Sequence, residues 1–186
     1  SKEKKEKKKR IVSIWVCILI FIGAFFAGMI SKVAIKPAWS TKYTATWSEE
    51  LGTKITDISY GDEEANKFDL YLPKDSTKDT YGLVIYLHAG GFTSGDKADD
   101  ENMLAWLCSK GYVAAGINYT LRTDTNNASV LLQSNEIKEA IPIVVEEAKN
   151  RGYNIDKMTV AGGSAGHALA MIYAYRDAQD APVPVV

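Results

Sequence analysis

Gly162-Gly163-Ser164-Ala165-Gly166 is the stretch that decides how this 186-residue chain is read. It fits the G-x-S-x-G turn that presents a nucleophilic serine. The context is the one that turn requires: the apolar run Met158-Thr159-Val160-Ala161 precedes it and the helix-like Ala165–Tyr175 follows. The glycines have a mechanical purpose. The serine occupies a sharp, strained corner, and side chains at the flanking positions would collide with the neighbouring strand and helix. Taken alone, the pattern also describes a plain strand-to-helix turn.

A second motif lies upstream. Leu83-Val84-Ile85-Tyr86-Leu87 reads as a buried strand and runs directly into His88-Ala89-Gly90-Gly91-Phe92. The latter resembles the H-G-G-G segment from which lipases and esterases build an oxyanion hole out of backbone N–H groups. Two consecutive amides must turn toward a developing alkoxide with no side chain in the way, hence the paired glycines. Either motif alone has an ordinary reading as a loop. Together, in this order and each in its context, they read as parts of one catalytic site.

From about Thr53 to the end, the chain resembles the N-terminal part of an α/β-hydrolase and is similar to the hormone-sensitive-lipase-like esterases. Further matches are Lys67-Phe68-Asp69-Leu70-Tyr71-Leu72-Pro73 and Gly116-Ile117-Asn118-Tyr119-Thr120-Leu121-Arg122. The second is similar to the family's D-Y-R-L segment, with Asn118 and Thr120 as departures. His88-Ala89 replaces the commoner His-Gly, and His167 stands where the family often has a small residue. The resemblance implies a doubly wound, mostly parallel α/β sheet and a serine carboxylester hydrolase acting on a small-molecule ester without cofactor or metal. Ser164 would be the nucleophile. The N–H groups of Gly90, Gly91 and Ala165 would form the oxyanion hole, and His88 would support the oxyanion loop by hydrogen bonding.

Only two histidines are present, His88 and His167. A serine triad needs a general base that reaches the hydroxyl and an acid that orients it. In the resembled family the order is Ser, then Asp/Glu, then His, with the last two on later strands. After Ser164 the chain runs into Ala181-Pro182-Val183-Pro184-Val185-Val186, which reads as a linker entering a further strand. The acid and base are therefore expected beyond Val186, with this chain a fragment truncated after the elbow helix. His88 belongs to the oxyanion loop, and the elbow aims its serine away from the helix that carries His167. Neither is expected to act as base, and two lone histidines are not expected to bind a metal.

The N-terminus adds a different element. Residues 1–10 hold seven Lys/Arg against Glu3 and Glu6, and Ile11–Ile30 runs without a charge. Twenty apolar residues at about 1.5 Å rise span about 30 Å, the thickness of a bilayer's hydrocarbon core. A basic segment before an apolar one fits both a cleaved signal peptide and a retained anchor. The long apolar run favours the anchor, as do Lys32 and Lys36 at the cleavage-critical places near Ala34 and Ala38. The charge contrast then puts residues 1–10 in the cytoplasm and the remainder outside the membrane. Beside a membrane helix, the basic tail is expected to meet lipid headgroups. Residues 31–186 carry net charge −6, which offers nucleic acid no surface. Cys17 and Cys108 leave no disulfide within the domain, and Cys108 reads as a buried apolar residue.

The organisation expected from these readings is a tail (1–10), a transmembrane helix (11–30), a juxtamembrane linker (31–52) and a partial hydrolase domain (53–186). In the linker, Trp39, Tyr43 and Trp47 could lie at the membrane interface or on the domain. Thr53–Gly61 and Asn66–Pro73 read as an antiparallel hairpin. Asp99–Lys110 reads as a helix closed by Gly111, and Tyr112–Tyr119 as a strand. Thr123–Ser129 reads as a surface loop. Ser134–Asn150 reads as a helix with Ile137, Ala140, Ile141, Val144, Val145 and Ala148 on one face and a kink at Pro142. Two alternatives to an esterase stand. One is an inactive hydrolase-like module for binding or anchoring. The other is a serine peptidase of the same fold, although the short path from the apolar segment to the first strand leaves no room for an N-terminal propeller.

Overall fold

Helices of a doubly wound sheet take their positions from the order of the strands. In the computed structural model, which describes residues 2–34 and 42–186, five strands form one sheet in the order β1-β2-β4-β3-β5. They are β1 (Gly52–Ser59), β2 (Lys67–Pro73), β3 (Tyr81–Leu87), β4 (Val113–Ile117) and β5 (Ile155–Gly162). The expected opening hairpin is present: β1 and β2 pair antiparallel, with Gly52 opposite Pro73. The β2–β4 pairing is also antiparallel, while β3 pairs in parallel with β4 and with β5. The sheet is thus mixed and not mostly parallel. The hairpin that enters the sheet reverses direction, and only the strands joined by helical crossovers run together.

Connections from β3 to β4 and from β4 to β5 move in opposite directions across the sheet. With right-handed crossovers, their helices fall on opposite faces. Two separate apolar clusters result. Helix α3 (Val130–Asn150) and helix α4 (Ala165–Ile172) cover the face formed by Phe68, Leu70, Leu83, Ile85, Leu87, Ala115 and Ile117. Helix α2 (Glu101–Ser109) covers the other through Leu104 and Cys108 against Tyr71 and Ala114. Alternate residues of β2 and β4 divide between the two clusters, as the two-residue period of a strand demands.

The expected inner face of α3 holds, with Ile137, Ala140, Ile141, Val144 and Ala148 fully buried and Val145 partly so. The helix starts earlier than Ser134, because the Ser129 hydroxyl caps it by accepting from the Leu132 N–H. It runs unbroken through Pro142, which is exposed, so the carbonyl deprived of a donor is on the wet side. The Asp99–Lys110 helix is instead a 3₁₀ turn, Lys97–Asp100, capped by Asp96, followed by α2. The helix after Ser164 is shorter than expected. It passes into a π-helical turn at Tyr173–Asp177, whose Arg176 reaches the Ser134 hydroxyl on α3.

Two compact units divide the chain, Ser1–Lys42 and Tyr43–Val186. The first contains α1 (Lys2–Ala34), long and apolar enough to cross a membrane. The second begins within the stretch read as linker. Tyr43 stacks edge-on against Trp106 at 5.2 Å and Trp47 against Tyr71 at 5.3 Å, so both aromatics lie on the domain. Trp39 lies outside the described residues. Cys108 is buried as expected, and burial pushes its thiol up to about 11.

Candidate active site

β3 and β5 are neighbours with Leu87 opposite Gly162, so the two loops that leave them emerge side by side. Ser164 follows β5 at φ 49° and ψ −111° and is exposed. That backbone conformation is unfavourable for a residue with a Cβ and costs about 1–3 kcal/mol. Close packing enforces it. A Cβ on Gly162 would lie 2.3 Å from the Gly166 carbonyl carbon, and one on Gly166 would lie 2.0 Å from the Leu87 oxygen. The turn is also tied to β3 directly, the Gly163 N–H donating to the Leu87 carbonyl at 3.2 Å.

The loop after β3 folds back on itself. Thr93 and Ser94 N–H groups and the Ser94 hydroxyl all donate to the Gly90 carbonyl. Gly90, with φ 136°, has no room for a side chain, since a Cβ there would meet the Ser94 oxygen at 1.8 Å. Gly91 opens onto empty space. Among the described residues the N–H groups of Gly90, Gly91 and Ala165 have no hydrogen-bond acceptor. The three unengaged donors lie on the two loops that leave β3 and β5 side by side, Ala165 directly after the exposed Ser164.

His88 is buried, its Nδ1 2.8 Å from the Ala89 carbonyl, and its ring stacks on Tyr119 at 4.4 Å. An Nδ1 facing a carbonyl carries the proton, so His88 is a donor to the loop. Tyr119 donates its hydroxyl to the His88 carbonyl at 2.9 Å, and burial holds that hydroxyl up at about 12, which keeps it a donor. His167 is exposed on the first turn of α4. No hydrogen bond joins the Ser164 hydroxyl to either histidine among the described residues. Nor do these residues contain a group of three or more His, Cys, Asp or Glu placed to hold a metal.

Several supporting residues carry no signature that reading along the chain would single out. The Lys97 ammonium is buried between Asp69 (3.1 Å) and Asp57 (2.9 Å). Burial opposes its charge, but the two carboxylates outweigh that and hold its pKa above the ordinary value. Asn118, one of the two departures in its segment, accepts from the Lys97 N–H at 2.6 Å and donates to Asp96 at 2.7 Å. Burial raises the Asp96 carboxyl, yet the donors Ala98 N–H and Asn118 bring it below the usual range. Thr120, the other departure, gives its N–H and hydroxyl to buried Glu136. Asp69, a lone carboxylate in an apolar strand, is the signal in the sequence that points to this cluster.

A kynurenine formamidase of Danio rerio is 30% identical over 120 residues, which are 63% of this chain and 38% of that protein. The chain thus spans well under half the length of this curated relative. Among solved structures, esterase B of Lactobacillus rhamnosis superposes with a TM-score of 0.59 at 23% identity, over 85% of this chain and 48% of that one. Thermogutta terrifontis esterase 2, phosphorylated by paraoxon, does so with a TM-score of 0.53 at 24% identity, over 66% and 48%. These structural likenesses establish the fold. The BD-FAE family model matches residues 68–181, from β2 through the elbow and its helix, so this chain belongs to the BD-FAE family, with an α/β-hydrolase-like fold.

Proposed function

We infer that the chain supplies the nucleophile and oxyanion hole of a membrane-anchored serine hydrolase acting on a small carboxylic ester. Ser164 attacks the acyl carbonyl, and the N–H groups of Gly90, Gly91 and Ala165 receive the developing alkoxide. Each such donor is worth about 10²–10³ in rate. The adduct collapses by breaking the ester C–O bond, the alcohol leaves carrying the proton given up by the Ser164 hydroxyl, and water then hydrolyses the acyl-enzyme to the acid and free Ser164. The observation that carries this reading is the strained, exposed Ser164 beside a loop whose N–H groups are unengaged. A base and its acid come from strand ends outside these 186 residues. In support, His88 is committed to the Ala89 carbonyl and the chain covers only 38% of its formamidase relative. That relative favours a formamide as a second acyl class. Helix α1 holds the enzyme in the membrane, its basic tail against lipid headgroups.

A fluorophosphonate probe tests the reading on the full-length protein. Labelling should occur and should vanish in Ser164→Ala, with turnover of p-nitrophenyl butyrate lost in parallel. The 186-residue chain alone should turn over no faster than its Ser164→Ala variant. Absence of labelling in the full-length protein would leave the binding-module reading in its place.

A further inference from the structure

The loop after β3 is held by side chains outside the motif that defines it. Phe92 has φ 69°, a left-handed conformation that an aromatic residue keeps only where its surroundings over-determine it. Its carbonyl accepts from two donors, the Arg122 N–H at 2.9 Å and Gln133 Nε2 at 3.0 Å. Gln133 is wholly buried, and Nε2 also donates to the Thr120 carbonyl at 2.8 Å. One amide of α3 thereby bridges the loop and the segment that follows β4. At the loop's other end, the Tyr119 hydroxyl donates to the His88 carbonyl.

Peptide planarity turns these contacts into aim. A trans peptide places its N–H opposite its carbonyl, so a carbonyl held on one side directs the next residue's N–H to the other. The Ala89 carbonyl, held by His88 Nδ1, aims the Gly90 N–H. The Gly90 carbonyl, held by Thr93 and Ser94, aims the Gly91 N–H. Tyr119 and Gln133 pin the peptides on either side of this pair.

We propose that Tyr119 and Gln133 are positioning residues of the oxyanion hole, clamping the two ends of the His88–Phe92 loop so that the Gly90 and Gly91 N–H groups face the carbonyl attacked by Ser164. The assignment rests on the serine-hydrolase reading above. Neither side chain touches the reacting atoms. Both act through main-chain carbonyls, which ties the hole's geometry to the start of α3 and to the end of β4.

The test compares Gln133→Met and Tyr119→Phe in the full-length protein with Ile141→Val, a core change on α3 that lowers stability without touching the loop. Amide hydrogen exchange over residues 92–95 and 120–123 should quicken about tenfold or more in the first two and not in the third. Their kcat should fall about tenfold or more with KM within twofold. The inhibition constant of a trifluoromethyl ketone, whose hemiketal oxyanion occupies the hole, should rise in step with the loss of kcat/KM. Unchanged exchange overturns the clamp. Faster exchange with kcat and the inhibition constant within twofold overturns its positioning role. If Gln133→Met does not fold, Tyr119→Phe, which removes a single hydroxyl, decides alone. If the wild-type protein neither turns over esters nor accepts a fluorophosphonate, the hydrolase reading fails, and exchange still decides the clamp.

Discussion

Ser164 and the glycines around it are held by contacts of different strengths. Gly166 is a close-approach position: a methyl there meets the Leu87 oxygen at 2.0 Å and the His88 oxygen at 2.7 Å, and both are main chain that cannot move aside. Gly166→Ala should cost about 3 kcal/mol or more in chemical denaturation, at the upper end of overpacking effects. Gly91→Ala meets open space and suffers only its left-handed backbone, φ 62°, a cost of about 1–2 kcal/mol. Equal losses from the two would contradict the close approach. Ser164 is strained in its own right. Ser164→Gly should be more stable than Ser164→Ala by about 1–2 kcal/mol, because glycine adopts φ 49°, ψ −111° without a Cβ penalty. The same stability for both would show that the corner is relaxed.

At the scale of elements, the 3₁₀ turn Lys97–Asp100 joins the oxyanion loop to the opening hairpin. Lys97 leaves the turn, enters the face covered by α2 and meets Asp69 of β2 and Asp57 of β1. Asp57 sits at a break in the β1–β2 register with φ 58°, its N–H donating to Asp69, so the irregular strand, the carboxylate and the ammonium form one unit. Lys97→Met should cost about 3–5 kcal/mol, because it leaves Asp69 as a buried charge without its cation. The double variant Lys97→Met, Asp69→Asn should recover a large part of that loss, since no charge then remains buried. Denaturation midpoints of the two singles and the double decide it, and a double variant no better than the single would remove the pair from the account.

At the scale of the whole molecule, two units of unlike chemistry share one chain. Helix α1 exposes large apolar side chains along its length, among them Phe21, Leu19 and Ile30, whereas the other unit buries most of its large apolar residues in two cores. If α1 is a retained anchor, the protein should stay in the membrane pellet at high salt and alkaline pH. A tag at the C-terminus should then be cut by protease added to intact spheroplasts, because seven basic residues precede the apolar run and two follow it closely. A soluble species starting near Ile35 would show cleavage, and a protected tag would reverse the orientation.

What the sequence by itself determined is what short range encodes. The elbow and the glycine loop were legible because close approach and positive φ restrict residue types within a few positions. The apolar span Ile11–Ile30 was legible from its lack of charge, although α1 begins earlier, at Lys2, and takes in the basic tail, and the buried face of α3 was legible from its 3.6-residue period. Tertiary structure alone decided the rest. The direction of β2 against β4 depends on how the chain enters the sheet, so a mostly parallel sheet was expected and a mixed one was found. Tyr119 lies 31 residues from His88 and Gln133 lies 41 from Phe92, and nothing in the composition of either segment marks a partner so far away. Lys97 looks like a solvated surface cation until β1 and β2 are laid beside it. Such contacts depend on strand order and crossover handedness. Those are set by how apolar faces bury one another across the whole domain, and no local window of the chain contains that information.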